Sequence, residues 1–444
     1  MKSRKIAILG LCLLTSTNAR AQTAAAPTYI LAGHVLDRPG EPMRGPTTVI
    51  VQGDRIVELR DGFQTPPAGS TAIELKDDYV LPGLIDAHVH LWGIAGDPLR
   101  AQIEQLTRDR FDDMVEAEKN ARLDLEAGFT TVRDLEADPR GIRALRDAID
   151  EGEIEGPTIV NSGSQISVTG GHGDMSVGMA EDFAEATRGR STNICDGPDD
   201  CRRAVREQIA LGAEVIKFAA TGGVLSNVTG GLGQQMTLEE MKAIVETAHS
   251  FGRKVAAHSH AVDGTKAALE AGVDSIEHGT FLDDQAIRLF KAKRTYLVQT
   301  MLAPVTALKQ AHDGQLSPAM VPKAEAVSAV AMASHRRAIA AGVKIAFGTD
   351  SGVSKHGQNA QEFALMVEAG MTPISAIRAA TVNAADLLGR SDQLGSIEPG
   401  KFADIIALKG DPTIDVTRLE RVDFVMRHGV TIKRDGRRQP FPPE

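Results

Sequence analysis

Five times the sequence runs off the end of a helical stretch, through one glycine, straight into an apolar strand: "LEAGFTTV", "ALGAEVIK", "SFGRKVAA", "LEAGVDSI" and "IAAGVKIA". Glycine accepts the left-handed backbone that stops a helix before the chain turns into the next element. A chain that repeats this device alternates helices with parallel strands. Eight strand-like runs recur, at 84–91, 129–135, 158–163, 215–221, 255–260, 275–280, 296–301 and 345–351. Eight β/α units predict an α/β fold, a (β/α)8 TIM barrel over residues 83–394. An open doubly wound sheet is the alternative. It would more often carry a glycine-rich phosphate loop after its first strand, and here that strand ends in "HVHLWG".

The two ends of the chain have a different texture. Residues 22–82 and 395–444 read as short strands and turns, with "QGD" at 52–54 as a hairpin signal. Together they predict one small β-sandwich domain. Before them, Lys2, Arg4 and Lys5 precede the short apolar run "IAILGLCLL" and an "ARA" site at 19–21. This is the pattern of a cleavable signal peptide over 1–21 and implies a periplasmic or secreted protein. Cleavage would remove Cys12 and four positive charges (Lys2, Arg4, Lys5 and Arg20), taking the net charge from −10 to −14. The remaining Cys195 and Cys201, in "CDGPDDC", can close a small loop by a disulfide or stand as two free thiols; export favours the disulfide. The acidic balance and the lack of a Lys/Arg tract argue against a nucleic-acid partner. No later run is long enough for a membrane anchor.

In a barrel, chemistry sits at the C-terminal ends of the strands. Strand one ends with His88 and His90, strand five with His258 and His260, strand six with His278, strand eight with Asp350, and strand four carries Lys217. Five of the twelve histidines thus fall at three strand ends. Side chains alternate along a strand, so His88 and His90 share one face, as do His258 and His260. Neutral imidazoles grouped this way suit Zn2+ and similar ions, whereas a lone one would more often be a satisfied core histidine. Lys217 interrupts an apolar strand, where a bare ammonium is costly. It can titrate low and act as a base or amine nucleophile, react with CO2 to give a metal-bridging carbamate, or snorkel to the rim. The four histidines and Asp350 favour the carbamate. Two glycine-rich loops, "VTGGHGD" (168–174, with His172 at its centre) and "TGGVLSNVTGG" (221–231), are natural substrate lids or plain turns, and "HGQNAQE" (356–362) is placed to line the same mouth.

The segments "DAHVH", "VIKFAATGG", "AAHSH", "IEHGT" and "FGTDSG", with "LPGLIDAHVHL" and "GSIEPGKFADIIAL" at the junctions, resemble the binuclear-metal branch of the amidohydrolase superfamily. The likeness runs from about residue 27 to 435. Within the superfamily the chain is similar to the imidazolonepropionase-related, prolidase-like group, which includes Xaa-Pro dipeptidases and amidohydrolases that cleave ochratoxin A. The resemblance implies two divalent ions, zinc being the expected metal. His88, His90 and Asp350 would hold one ion and His258 and His278 the other, with carboxylated Lys217 between them. His260 is not a ligand in that pattern and, with His172, would contact substrate. Asp350 and Lys217 would be the catalytic residues. The implied reaction is amide hydrolysis in a dipeptide or N-acyl amino acid with a free carboxylate, carried out by a homo-oligomer. A cyclic-amide hydrolase uses the same chemistry. Many deaminases need no bridging lysine, so Lys217 argues against one. A non-catalytic binding protein would be expected to have lost ligand residues.

Overall fold

The computed structural model describes residues 26–441, apart from 105, 106, 190 and 228–230; the expected signal peptide lies outside the described residues. The chain opens with four strands, β1 (Thr28–Val35), β2 (Thr47–Gln52), β3 (Arg55–Asp61) and β4 (Thr71–Pro82). Eight more follow at the positions the apolar runs predict. They are β5 (Leu84–Val89), β6 (Phe129–Asp134), β7 (Thr158–Asn161), β8 (Val215–Ala219), β9 (Lys254–Ser259), β10 (Ser275–His278), β11 (Tyr296–Val298) and β12 (Lys344–Ala346). β13 (Ile405–Leu408), β14 (Phe424–Arg427), β15 (Val430–Arg434) and β16 (Arg437–Arg438) close the chain.

The helix–glycine–strand junctions form as the sequence predicts. Gly212 and Gly272 cap their helices at φ 108° and 96°, and Gly128, Gly252 and Gly342 also have positive φ. The intervening helices show amphipathic spacing. Pro139–Asp150 buries Ile142, Leu145 and Ile149, and Asp138 caps it by accepting from the backbone N–H groups of Arg140 and Gly141.

β5 to β12 are parallel to their neighbours, in a three-stranded sheet (β5-β6-β7) and a five-stranded one (β8 to β12). The expected ring is therefore not one uninterrupted ladder. β7 has four residues and β12 three, and single hydrogen bonds continue where they stop. Glu214 N donates to Asn161 O at 2.8 Å and Ile166 N to Lys217 O at 2.8 Å on one side. On the other, Ala87 N donates to Phe347 O at 2.9 Å and Asp350 N to His88 O at 2.8 Å. Leu388, just after the helix Ala384–Leu387, packs against three small apolar clusters that each include strand residues, such as Ala87 with Val298 and Ala346. That helix therefore plugs one end of the strand assembly and leaves the chemistry to the other.

The hydrogen bonding does not divide the strands of the two chain ends into the two sheets expected of a sandwich. Strands from both chain ends do combine, but as one mixed eight-stranded sheet, β16-β15-β14-β13-β4-β1-β2-β3. β4, twelve residues long, joins the two ends, pairing with β1 up to Val80 and with β13 through Tyr79–Pro82, and β3 at the far edge turns back to the segment before β13, where Ile56 N donates to Lys401 O at 3.0 Å. Its apolar face gathers Ile30, Val49, Ile56, Ile73, Ile405 and Phe424 into a core of its own.

Candidate metal centre

The seven strand-end residues singled out by the sequence converge. The ligand atoms of His88, His90 and Asp350 lie within 4.8 Å of one another, and so do those of His258, His260 and His278. His88 Nε2 and His90 Nε2 stand 3.4 Å and 3.1 Å from the same Asp350 oxygen. The two groups adjoin, with the rings of His88 and His278 5.1 Å apart between centroids. Lys217, 1% exposed, shares this space, and its charge acts on His88, His258 and His278.

Strained backbone aims several of these groups. His278, Thr300 and Asp350 are non-glycine residues with φ of 70°, 48° and 60°. Such conformations persist only where the surroundings enforce them, and they concentrate at functional sites. At His278 the effect is visible. Glu277 points to His88, and the next residue, His278, faces the same space instead of alternating to the other side.

The second nitrogen of each ring is set by a fixed partner. His88 Nδ1 lies 2.8 Å from Glu277, whose other oxygen accepts from Arg133 at 2.8 Å. His88, Arg133 and the neighbouring Lys217 hold the Glu277 carboxyl at about 2 against the upward push of burial. An ionised carboxylate can only accept, so His88 donates from Nδ1 and keeps the Nε2 lone pair free. His278 follows the same logic. The Thr300 hydroxyl donates to Gln299 O at 2.8 Å and is therefore the acceptor for His278 Nδ1 at 2.7 Å. His260 Nδ1 pairs with the Thr280 hydroxyl at 2.8 Å.

Burial pushes the imidazoles toward their neutral form: His88 and His260 to about 4, His172 to about 3, and His258 and His278 well below the usual value. Burial likewise lowers Lys217 from 10.5 to about 8. Burial would raise Asp350, but His88, His90 and Lys217 hold it at about 2. His90 differs: burial would lower it, but its hydrogen bond with Asp350 outweighs this and raises it. The other imidazoles, held neutral, and the low-titrating Asp350 make a donor set that fits a divalent cation such as zinc, which would take the place of the His90 proton.

His172 joins the group through its loop, with its ring 4.3 Å from that of His258. It packs so closely on Gly223 that a Cβ there would sit 2.2 Å from His172 Cε1. The two glycine-rich loops therefore meet over the histidines. "HGQNAQE" does not line the mouth as expected but braces it from behind. His356 Nε2 donates to His90 O at 3.0 Å and its Nδ1 pairs with buried Asp124 at 2.8 Å. Asn359 donates to Asp86 at 2.9 Å. Asp86 also accepts from the Thr349 hydroxyl, tying β5 to the segment after β12.

Sequence reasoning missed Arg133, Glu277 and Glu136. Arg133 and Glu277 are charged residues inside apolar strands, the same signal that marked Lys217. Glu136 follows β6. Burial raises it, and its charge interacts with His90, Lys217 and Asp350, which places it beside the first group.

The amidohydrolase family model matches residues 79–432. Ochratoxinase of Aspergillus niger is 33% identical over 407 residues, covering 88% of this chain and 83% of that protein. A crystal structure of a Xaa-Pro dipeptidase with bound methionine in its active site superposes with a TM-score of 0.87 at 38% identity, covering 92% of this chain and all of the other. The crystal structure of A. niger ochratoxinase matches with a TM-score of 0.81 at 30% identity, over 93% of this chain and 96% of that one.

Proposed function

The chain belongs to the amidohydrolase family, of ochratoxinase- and prolidase-like type, and from that premise we propose that it is an exported hydrolase of dipeptides or N-acyl amino acids that works with two divalent ions. The observation that carries the reading is the meeting of two ligand groups across His88 and His278, with buried Lys217 among them. His88, His90 and Asp350 would hold one ion and His258 and His278 the other, with Lys217 between them as a CO2-derived carbamate. That anion would remove the cost of burying an ammonium next to two cations. When bound, the ions supply Lewis acidity, lowering the pKa of a water and polarising the scissile carbonyl.

The chain's own groups do the rest. Asp350, held ionised, accepts the proton of the attacking water and returns it to the leaving nitrogen, acting as general base and then general acid. His88 and His278, with Nδ1 tied to Glu277 and Thr300, present Nε2 without rotating. His172 stands beside the second group and His260 within it, and both would face the carboxylate or carbonyl of a substrate. His260 is as close to His258 and His278 as a ligand would be, and a count of bound metal separates the two roles.

The test is a hydrolysis screen of zinc-loaded protein against Xaa-Pro, Xaa-Arg and hydrophobic C-terminal dipeptides, N-acyl amino acids including ochratoxin A, and lactams. Turnover of linear amides with a free carboxylate is expected. Turnover of lactams alone would replace this reading with a cyclic-amide hydrolase.

A further inference from the structure

Lys323 lies on the helix Val321–Ala340 and is 8% exposed. Its Nζ donates to Gly223 O at 2.8 Å and Ser226 O at 2.5 Å, in the segment that follows Lys217's strand. An ammonium has three donors and needs an anion when taken out of water. Among the described residues no carboxylate balances it, and burial alone acts on its pKa, lowering it.

The segment it touches has other anchors. Val224 and Leu225 pack on Ala307, Leu316, Met320 and Ala324. The two carbonyl bonds use two of the three Nζ donors and leave the charge itself unbalanced. The position of the charge gives it another use. Gly223 is in contact with His172, and Gly222 O is 3.3 Å from His258 Nε2, so Lys323 stands one backbone residue behind the wall of the site. Its charge reaches both His172 and His260.

We propose that Lys323 is the counter-charge for the free carboxylate of the substrate and so selects acids over neutral amides or esters. This rests on the amide-hydrolase reading above. It adds a residue that neither strand-end position nor ligand spacing singles out, and it makes the acid group a requirement rather than a tolerated feature.

The experiment compares kcat/KM for the best dipeptide in the screen with that for its C-terminal carboxamide. Wild-type protein is expected to favour the acid by at least about 30-fold, and Lys323→Met to collapse that ratio by a similar factor, mostly through KM. Lys323→Arg should retain part of the preference, because it keeps the charge. A ratio unchanged in Lys323→Met, with both substrates falling in parallel, would mean a purely structural clamp and overturn the proposal. Should Lys323→Met not fold, the same ratio read in Lys323→Gln and in wild-type protein decides; a wild-type enzyme indifferent to the acid group overturns the proposal while leaving amide hydrolysis standing. Turnover of neither compound class would overturn both.

Discussion

His88 and Glu277, 189 residues apart in sequence, share a 2.8 Å hydrogen bond at the centre of the strand assembly, and both are buried. The bond fixes which nitrogen of His88 faces Asp350. Arg133 holds the far side of the same carboxylate, so the orientation of a proposed ligand depends on an ion pair behind it. Glu277→Gln should keep the shape but weaken the acceptor for His88. Zinc affinity is expected to fall about 10–100-fold, with activity following it. Competition against a fluorescent chelator measures this, and wild-type affinity in the variant would show that Glu277 does not tune the ligand.

Lys217 gives a pH prediction. Its folded-state value, lowered by burial to about 8, makes the amine half neutral near that pH in the metal-free protein. Only the neutral amine reacts with CO2. At fixed dissolved CO2, chelator-stripped protein should therefore regain activity with zinc at a rate that climbs about tenfold per pH unit below 7 and levels off above about 8. A lysine with its ordinary value would keep accelerating toward pH 10. A rate flat across pH 6–9 would exclude the carbamate as the limiting step of assembly. The variant Lys217→Ala should bind at most one ion per chain.

Much of this site was legible because two signals coincide in it. Period-two spacing put His88 with His90 and His258 with His260, and strand ends put them in one place. The same alternation hid Glu277. In "SIEHGT" it sends Glu277 and His278 to opposite faces, and only the positive φ at His278 brings both to the site. A β-bulge likewise shifts the register between Asp86 and Val89 against β6, so spacing along β5 says little about residues below His88. Lys323 left no local trace, because it meets Gly223 across 100 residues and from a helix rather than a strand. The small sheet was legible as β-rich chain ends. Its continuity was not, since it depends on the one long strand, β4, pairing on both edges.

Metal counting separates the roles of two neighbouring histidines. His278→Ala should lower bound zinc from two ions toward one per chain. His260→Ala should keep two ions and raise KM for substrates with a free carboxylate, by about 10-fold or more. Elemental analysis after dialysis gives the count. Loss of an ion in His260→Ala would make His260 a ligand, as its distance to His258 and His278 allows.

Asp350→Asn retains an oxygen near His90 but removes the group that carries the proton. The expected loss in kcat is about 100- to 10,000-fold with a melting temperature close to wild type. Near-normal turnover in a well-folded variant would remove Asp350 from the proton path and leave its carboxylate as a ligand alone.

The structure settles the sequence's open cysteine question as a disulfide between Cys195 and Cys201. Its position links stability to the site. Cys195 N donates to Ser167 O at 2.9 Å, Thr169 donates to Asp196 from both its N–H and its hydroxyl, and Asn193 donates to Gln165 O and Gly173 O. Residues 193–196 therefore clamp the loop that presents His172. The disulfide fastens that clamp to the first turn of the helix Pro198–Leu211, which buries Ala204, Val205 and Gln208. Closing so short a loop is worth about 2 kcal/mol by the chain-entropy estimate. The Cys195→Ser, Cys201→Ser double variant should lose about that much in denaturant unfolding. If the clamp matters to the site, kcat/KM should also fall at temperatures where the variant is fully folded, and His172→Ala should then add little further loss. A variant that loses stability but not activity would mean that the His172 loop is held well enough by its own hydrogen bonds.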